Sequence, residues 1–218
     1  MLVAVLPVFA LTYVLAPLPS RLDRHSQRVC DGSENSVRPV KLAVVLTEPS
    51  IRPMTHADIE LLIAWRADRG VNEWYGGLEE ATPEAIRADW DDEAWCERGI
   101  IEVDGRPVGF VQWYEADNET TAVYRLPIGP TYWGIDIFLG EPSLFGQGIG
   151  TSVVRKLSDQ LLHDHITDVV VIDPHQRNKR AIRSYEKAGF VYSHDLPAHE
   201  TQDGIIYDAV LMTKRLPT

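Results

Sequence analysis

Between Leu144 and Thr151 the chain reads Leu-Phe-Gly-Gln-Gly-Ile-Gly-Thr, set between an apolar run, Trp133 to Leu139, and an amphipathic stretch that begins at Gly148. Glycines at alternate positions, Gly146, Gly148 and Gly150, remove each β-carbon that would hold a ligand off the backbone. A helix N-terminus follows, where amides without intrahelical partners and the positive end of the helix dipole favour an anion. The segment therefore reads either as a plain turn or as a cradle for a pyrophosphate. In both readings it demands a strand, a tight turn and a helix in immediate succession.

The chain has 218 residues, 44% of them apolar, enough for one core with an appendage. Its formal charge is −11, and the excess lies beyond residue 49, where 16 basic residues face 28 acidic ones. Such a surface repels polyanions, which argues against nucleic acid, and attracts cations. Cys30 and Cys96 are far apart with no Cys or His at metal-ligand spacing, so neither a disulfide framework nor a metal site is expected. Leu2 to Leu18 is nearly all apolar, but Pro7 and Pro17 interrupt it and no basic residue precedes it. A secretion signal and a membrane anchor are the rivals to the favoured reading, a non-essential extension. Residues 1–40 are thus taken as an apolar extension and linker, residues 41–218 as the domain. A cytoplasmic location is expected.

Lys41–Leu46 and Ser50–Arg52 suggest a first strand. Thr55-His-Ala-Asp58 opens a helix with Ile59, Leu62, Ile63 and Trp65 on one stripe, and Thr82-Pro83-Glu84 opens another with Ile86 and Trp90. Gly99–Val103 and Val108–Tyr114 flank Asp104-Gly105 as a hairpin. Residues 115–131 read as an irregular connection. A strand at Gly134–Leu139, the glycine loop, a helix from Gly148 to about His163, and a buried strand at Val169–Ile172 come next. A helix from Asn178 then ends at Gly189, before strands at Phe190–Tyr192 and Ile205–Met212.

This order, with Phe145-Gly-Gln-Gly-Ile-Gly-Thr151 and Asn178-Lys-Arg-Ala-Ile-Arg-Ser-Tyr185-Glu-Lys-Ala-Gly-Phe190, resembles the GNAT superfamily of N-acetyltransferases over roughly residues 45–214. Trp74-Tyr75-Gly76-Gly77, Gly134-Ile135-Asp136 and Asp173-Pro174 make it most similar to bacterial aminoglycoside 6′-N-acetyltransferases. The resemblance implies a mixed α/β (α+β) fold whose central, mostly antiparallel sheet splays apart to admit acetyl-CoA. It also implies direct transfer to an amine, with no acyl-enzyme and no metal. The residues implied to hold the cofactor are Ile137, Phe138 and Leu139 on the strand, Phe145, Gly146, Gln147, Gly148, Ile149, Gly150 and Thr151 in the loop, and Asn178, Ala181 and Tyr185 on the last helix. Phe145 stands where the superfamily usually has Arg or Gln, so the backbone amides are left to carry the phosphate contacts.

Amine acylation requires that the ammonium lose a proton, that the oxyanion be stabilised and that the thiolate be protonated or solvated. Asp136 lies within Ile135-Asp136-Ile137, so it faces the opposite side of the sheet from its apolar neighbours and is the candidate base. Asp173 ends the next strand and is read either as a second acceptor carboxylate or as a turn residue before Pro174. Family members place a tyrosine at the position of Tyr185 against the CoA sulfur, which implies that Tyr185 serves as the acid. Trp74, Tyr75, Trp113 and Trp133 are candidate sugar platforms, with core packing the alternative for each. Glu115 is the acidic candidate for the acceptor site, with Asp117, Glu119, Asp203 and Asp208 as a possible acidic rim. The expected activity is 6′-N-acetylation of an aminoglycoside by a monomer or homodimer. Its rivals are another amine or hydroxylamine acceptor, such as a polyamine or siderophore precursor, and a CoA-binding sensor without catalysis.

Overall fold

Seven strands assemble into one sheet of order β1-β2-β3-β4-β5-β7-β6 in the computed structural model, which describes residues 48–91 and 96–216. Along the chain the elements are β1 (Ser50–Pro53), α1 (Ile59–Arg66), α2 (Arg69–Asn72), α3 (Pro83–Asp91), β2 (Glu97–Val103), β3 (Arg106–Glu115), α4 (Asn118–Val123), β4 (Tyr132–Leu139), α5 (Ile149–His163), β5 (Val169–Ile172), α6 (Lys179–Lys187), β6 (Val191–Gln202) and β7 (Ile205–Lys214). Every neighbouring pair is antiparallel except β4 and β5. The β2–β3 turn is the expected tight one, with positive φ at Asp104 and Gly105, which matches the right-handed twist of the flanking strands.

The two faces of the sheet bury different layers. Ile135 and Ile137 of β4 face α5 and α6, packing with Val153, Val154, Leu157 and Leu161 of α5, Val170 and Ile172 of β5, and Tyr185 of α6. Phe110 and Phe138 face the other way, onto Ile59 and Trp65 of α1 and Ile86 of α3. Tyr124, Tyr132, Val169, Val171, Leu196 and Leu211 extend this second face toward β6. The period-two alternation expected at Ile135-Asp136-Ile137 thus places Asp136 on the α1/α3 face.

At the start of α1, the Thr55 amide and hydroxyl both donate to Asp58. Arg52 of β1 clamps the same carboxylate at 2.7 and 2.8 Å and holds its pKa down to about 2.

The structure differs from the sequence reading at three places. Residues 115–131 contain α4, which is capped by Asp117 accepting the Thr120 amide at 2.8 Å. The Thr-rich, charged segment carries no apolar stripe, so periodicity could not show it. The strand expected at Phe190–Tyr192 runs on to Gln202, and its pairing with β7 slips between Leu196 and Glu200. That bulge hides the alternation on which strand recognition rests. The short helix α2 was likewise not anticipated. The extension, its boundary near residue 41, Cys30 and Lys41–Leu46 lie outside the described residues. No described helix is long and apolar enough to cross a membrane.

Leu162, 2% exposed, fastens α5 to the sheet. Its truncation to alanine is expected to cost about 2–5 kcal/mol, measured by urea unfolding of the two proteins.

Candidate active site

β4 and β5 pair only at Tyr132–Val169, Trp133–Val170 and Gly134–Val171. From Ile135 to Leu139 no described strand lies beside β4 on that flank, while β3 continues to pair on the other through Leu139. The sheet is therefore open where the candidate residues Ile137, Phe138 and Leu139 present their main chain. This is the expected splay.

The glycine loop lies at the end of β4. Gly146 and Gly148 have φ of +77° and +86°, and Gly148 caps α5. A β-carbon on Gly146, Gly148 or Gly150 would meet nothing within 4 Å. The two positive φ values account for glycine at 146 and 148; the space left open at all three suits close approach of a ligand, as a pyrophosphate cradle requires. Ile149, Gly150 and Thr151 form the first turn of α5. The Thr151 hydroxyl is bonded to Ser184 at 2.6 Å, which ties α5 to α6. Gln147 is turned back onto the Ser143 carbonyl at 2.8 Å. Phe145 lies 4.1 Å beneath the guanidinium of Arg180, so a cation that the sequence reading did not single out stands beside the loop. Asn178 caps α6 by accepting the Ala181 amide at 3.1 Å.

Asp136 is partly buried on the α1/α3 face and accepts a 2.8 Å hydrogen bond from the Gln112 amide, its cross-strand neighbour on β3. Burial, reinforced by the charges of Asp173 and Glu200, outweighs that bond and pushes its pKa up to about 7. Asp173 follows β5 directly, and its carboxylate lies 2.9 Å from His199 Nε2. Tyr185 packs on the opposite, α5/α6 face, yet after burial the charges of Asp136 and Asp173 are what raise its pKa, with Arg180 opposing. Across the open flank of the sheet, three candidates thus share one electrostatic environment. The Tyr185 phenol stays protonated at neutral pH.

Other candidates fall elsewhere. Glu115, Trp113 and Trp133 share the face opposite Asp136; both tryptophans pack against the α5/α6 core and Glu115 is exposed at the end of β3. The register of β3 with β4 places Trp113 and Glu115 there, and alternation along β4 itself places Trp133 on the side of Ile135. Tyr75 packs with its ring centroid 4.8 Å from that of Phe138 and 5.0 Å from the Arg66 guanidinium, in line with the core-packing alternative. Trp74 does line the site face, against His175 and Arg177. Asp203 accepts the Leu78 amide at 2.7 Å, which brings the β6–β7 hairpin against the Trp74–Leu78 segment, while Asp208 accepts the Ala198 amide at 2.8 Å within that hairpin. Gly77, at φ +75°, permits this approach, since a β-carbon there would lie 2.9 Å from Asp203 Oδ1.

Several residues that join the site were not foreseen. Gln112 reads as an ordinary polar position of a hairpin strand. His199 sits in the β6 bulge beside Ala198, whose φ is +51°, and its ring lies 5.4 Å from that of Tyr124. The Tyr124 hydroxyl is in turn 3.4 Å from that of Tyr114. His175, 5% exposed, holds Glu200 at 2.6 Å through Nε2 and stacks on Tyr207, while its Nδ1 has no partner. Burial raises the Glu200 pKa, but the bonds from His175 and Gln202 outweigh it and leave it below the usual range. Among the described residues, no group of His, Cys, Asp and Glu is arranged to hold a metal.

Residues 54–197 match the family model described as an acetyltransferase (GNAT) domain. An aminoglycoside N(6′)-acetyltransferase type 1 of Klebsiella pneumoniae is 33% identical over 147 residues, spanning 65% of this chain and 73% of that protein. The structure of AAC(6′)-Ib in complex with paromomycin and acetyl-CoA superposes with a TM-score of 0.62 at 28% identity, over 78% of this chain and 94% of that one. Spermidine N-acetyltransferase of Vibrio cholerae, solved with CoA and spermine, shares the fold with a TM-score of 0.62 at 14% identity, over 77% and 95% of the two chains.

An Asp136 pKa near 7, against about 3.9 in the unfolded chain, means that the native state holds a proton the unfolded state releases, so stability falls as pH rises from about 4 through 7. Asp136→Asn removes that loss. Its melting temperature is expected to exceed the wild type's by more at pH 8 than at pH 4.5, and thermal scans at the two pH values check it.

Proposed function

We propose, on the premise that this chain belongs to the GNAT family of acetyltransferases, that it transfers the acetyl group of acetyl-CoA to the 6′-amine of an aminoglycoside. The observation that carries the reading is the pair Asp136 and Asp173 at the open flank of the sheet, within one electrostatic environment. The names of the relatives support the acceptor class. The open glycine cradle and the unpaired flank of β4 fit a pyrophosphate followed by an extended, amide-bearing arm. A cytoplasmic location, with acetyl-CoA at hand, suits this reading.

In this reading Asp136 is the base. Its pKa near 7 corresponds to a bias of roughly 4 kcal/mol toward the neutral acid. An ammonium about 4 Å away, at an effective dielectric near 20, returns about 4 kcal/mol. Docking of the cation therefore restores the carboxylate that must remove its proton. Gln112 holds one oxygen of Asp136 and leaves the other for the acceptor. Asp173, steadied by His199, attracts the ammonium into the opening. The amine, freed of its first proton by Asp136, attacks the thioester carbonyl; the C–N bond forms, the nitrogen gives a second proton to solvent as it becomes the amide, the C–S bond breaks and the electron pair leaves on sulfur. Tyr185 meets the departing thiolate as a hydrogen-bond donor. Its raised pKa makes full proton transfer uphill, so the sulfur takes its proton finally from solvent and the phenol keeps its own.

Release of free thiol from acetyl-CoA with kanamycin, ribostamycin, spermidine and a hydroxylamine tests the proposal. Turnover of the aminoglycosides is expected to exceed that of the others, with an acidic limb of kcat/KM near pH 7. Asp136→Asn is expected to lower kcat about 10²–10⁴-fold and to abolish that limb, and Tyr185→Phe to lower kcat about 10²-fold. Thiol release with spermidine alone would reassign the acceptor; coenzyme A binding without turnover of any amine would favour a sensor.

A further inference from the structure

The loop between β5 and α6 is stitched to β7: the Val210 amide bonds to the Pro174 carbonyl at 3.0 Å and the Gln176 amide to the Asp208 carbonyl at 2.8 Å. These bonds fix the base of Arg177, whose side chain is 41% exposed. Its guanidinium carbon lies 4.6 Å from the ring centroid of Trp74 and 4.4 Å from that of Tyr207. Its two terminal nitrogens each lie 3.3 Å from an oxygen of Glu73, one from the carboxylate and one from the main-chain carbonyl. Two aromatic rings, a carboxylate and a carbonyl converge on one cation. Each of these contacts is weak at an exposed position, so another cation of similar chemistry can exchange with the guanidinium.

The cradle is continuous with the acid-lined face. Tyr207 pairs across the hairpin with Glu200, which His175 holds, and the Glu200 charge is among those that raise the Asp136 pKa. A polycation with one amine at Asp136 carries further ammonium groups, which an acid-lined face attracts.

We propose that the Trp74–Tyr207–Glu73 cradle is a second cation subsite of the acceptor cleft, occupied in the unliganded protein by Arg177, which a polycationic acceptor displaces on binding. The proposal rests on the reading above that the acceptor is a polycationic amine. A filled cradle selects for acceptors whose distal ammonium or guanidinium group can replace Arg177. A monoamine gains nothing from it.

The direction of one kinetic change separates a displaceable occupant from a structural latch. With the full chain, Arg177→Ala is expected to lower KM for kanamycin about fivefold, because the competitor is gone, and to leave KM for acetyl-CoA unchanged. Methylguanidinium chloride should then raise KM for kanamycin in Arg177→Ala and have little effect on the wild type. A KM for kanamycin that stays the same or rises in Arg177→Ala overturns the proposal and makes Arg177 a latch that orients Trp74. Should the wild type not turn over kanamycin at all, the acceptor assignment fails and the cradle is read by fluorescence. Methylguanidinium should alter tryptophan emission in Arg177→Ala but not in the Trp74→Phe/Arg177→Ala double variant, and no difference between the two overturns the subsite.

Discussion

β4 and β5 run side by side for three residue pairs and then part, and the site depends on that parting. A continuous sheet would satisfy every main-chain group of β4 and seal its two faces from each other. Here, past Gly134, the strand keeps β3 on one flank and no described strand on the other. The opening exposes peptide groups suited to an extended, amide-bearing ligand. It also lets a tyrosine on the α5/α6 face sense carboxylates that belong to the α1/α3 face. The parallel pairing makes this possible, because the crossover through α5 returns the chain beside β4 without a hairpin to enforce pairing along its length.

Electrostatics then give the opening its chemistry. Burial and the neighbouring charges of Asp173 and Glu200 make the Asp136 carboxylate costly to ionise, and its pKa is raised. Asp173 stands against His199, and Glu200 against His175, so the second and third acids each have a cationic or hydrogen-bonding partner. Among the described residues, Asp136 has only the neutral Gln112 amide as a hydrogen-bonding side chain. An ammonium beside Asp136 would favour its charged form, so this acidic face suits a cation. The same logic extends outward to Arg177, where the protein supplies its own cation to an aromatic and acidic cradle.

The legible parts of the fold were those in which local physics leaves few options. Thr55 and Asp58, Pro83, Asn178 and Gly189 marked helix ends because cap geometry needs particular side chains or a positive φ. Asp104-Gly105 marked a hairpin for the same kind of reason. Where no such constraint operated, the reading failed: α4 has a cap but no apolar stripe, and β6 is broken by a bulge. Glu115 stands on the face opposite Asp136 because the register of β3 with β4 sets it there, and Trp113 and Trp133 take the core-packing alternative. For Tyr75 the packing alternative rests on Phe110, Phe138 and Arg66, which come from three other elements and lie against its ring.

From the amino-acid order alone follow the glycine cradle before α5, the helix caps and the orientation of Asp136 away from Ile135 and Ile137, since each depends on backbone conformation over a few residues. The surroundings that raise the Asp136 pKa were decided by tertiary structure. Gln112 lies 24 residues from it in sequence, His199 lies 26 from Asp173, and Arg177 lies 104 from Glu73. Burial and charge act through space, and only the pairing of distant strands determines which groups stand close enough to be felt.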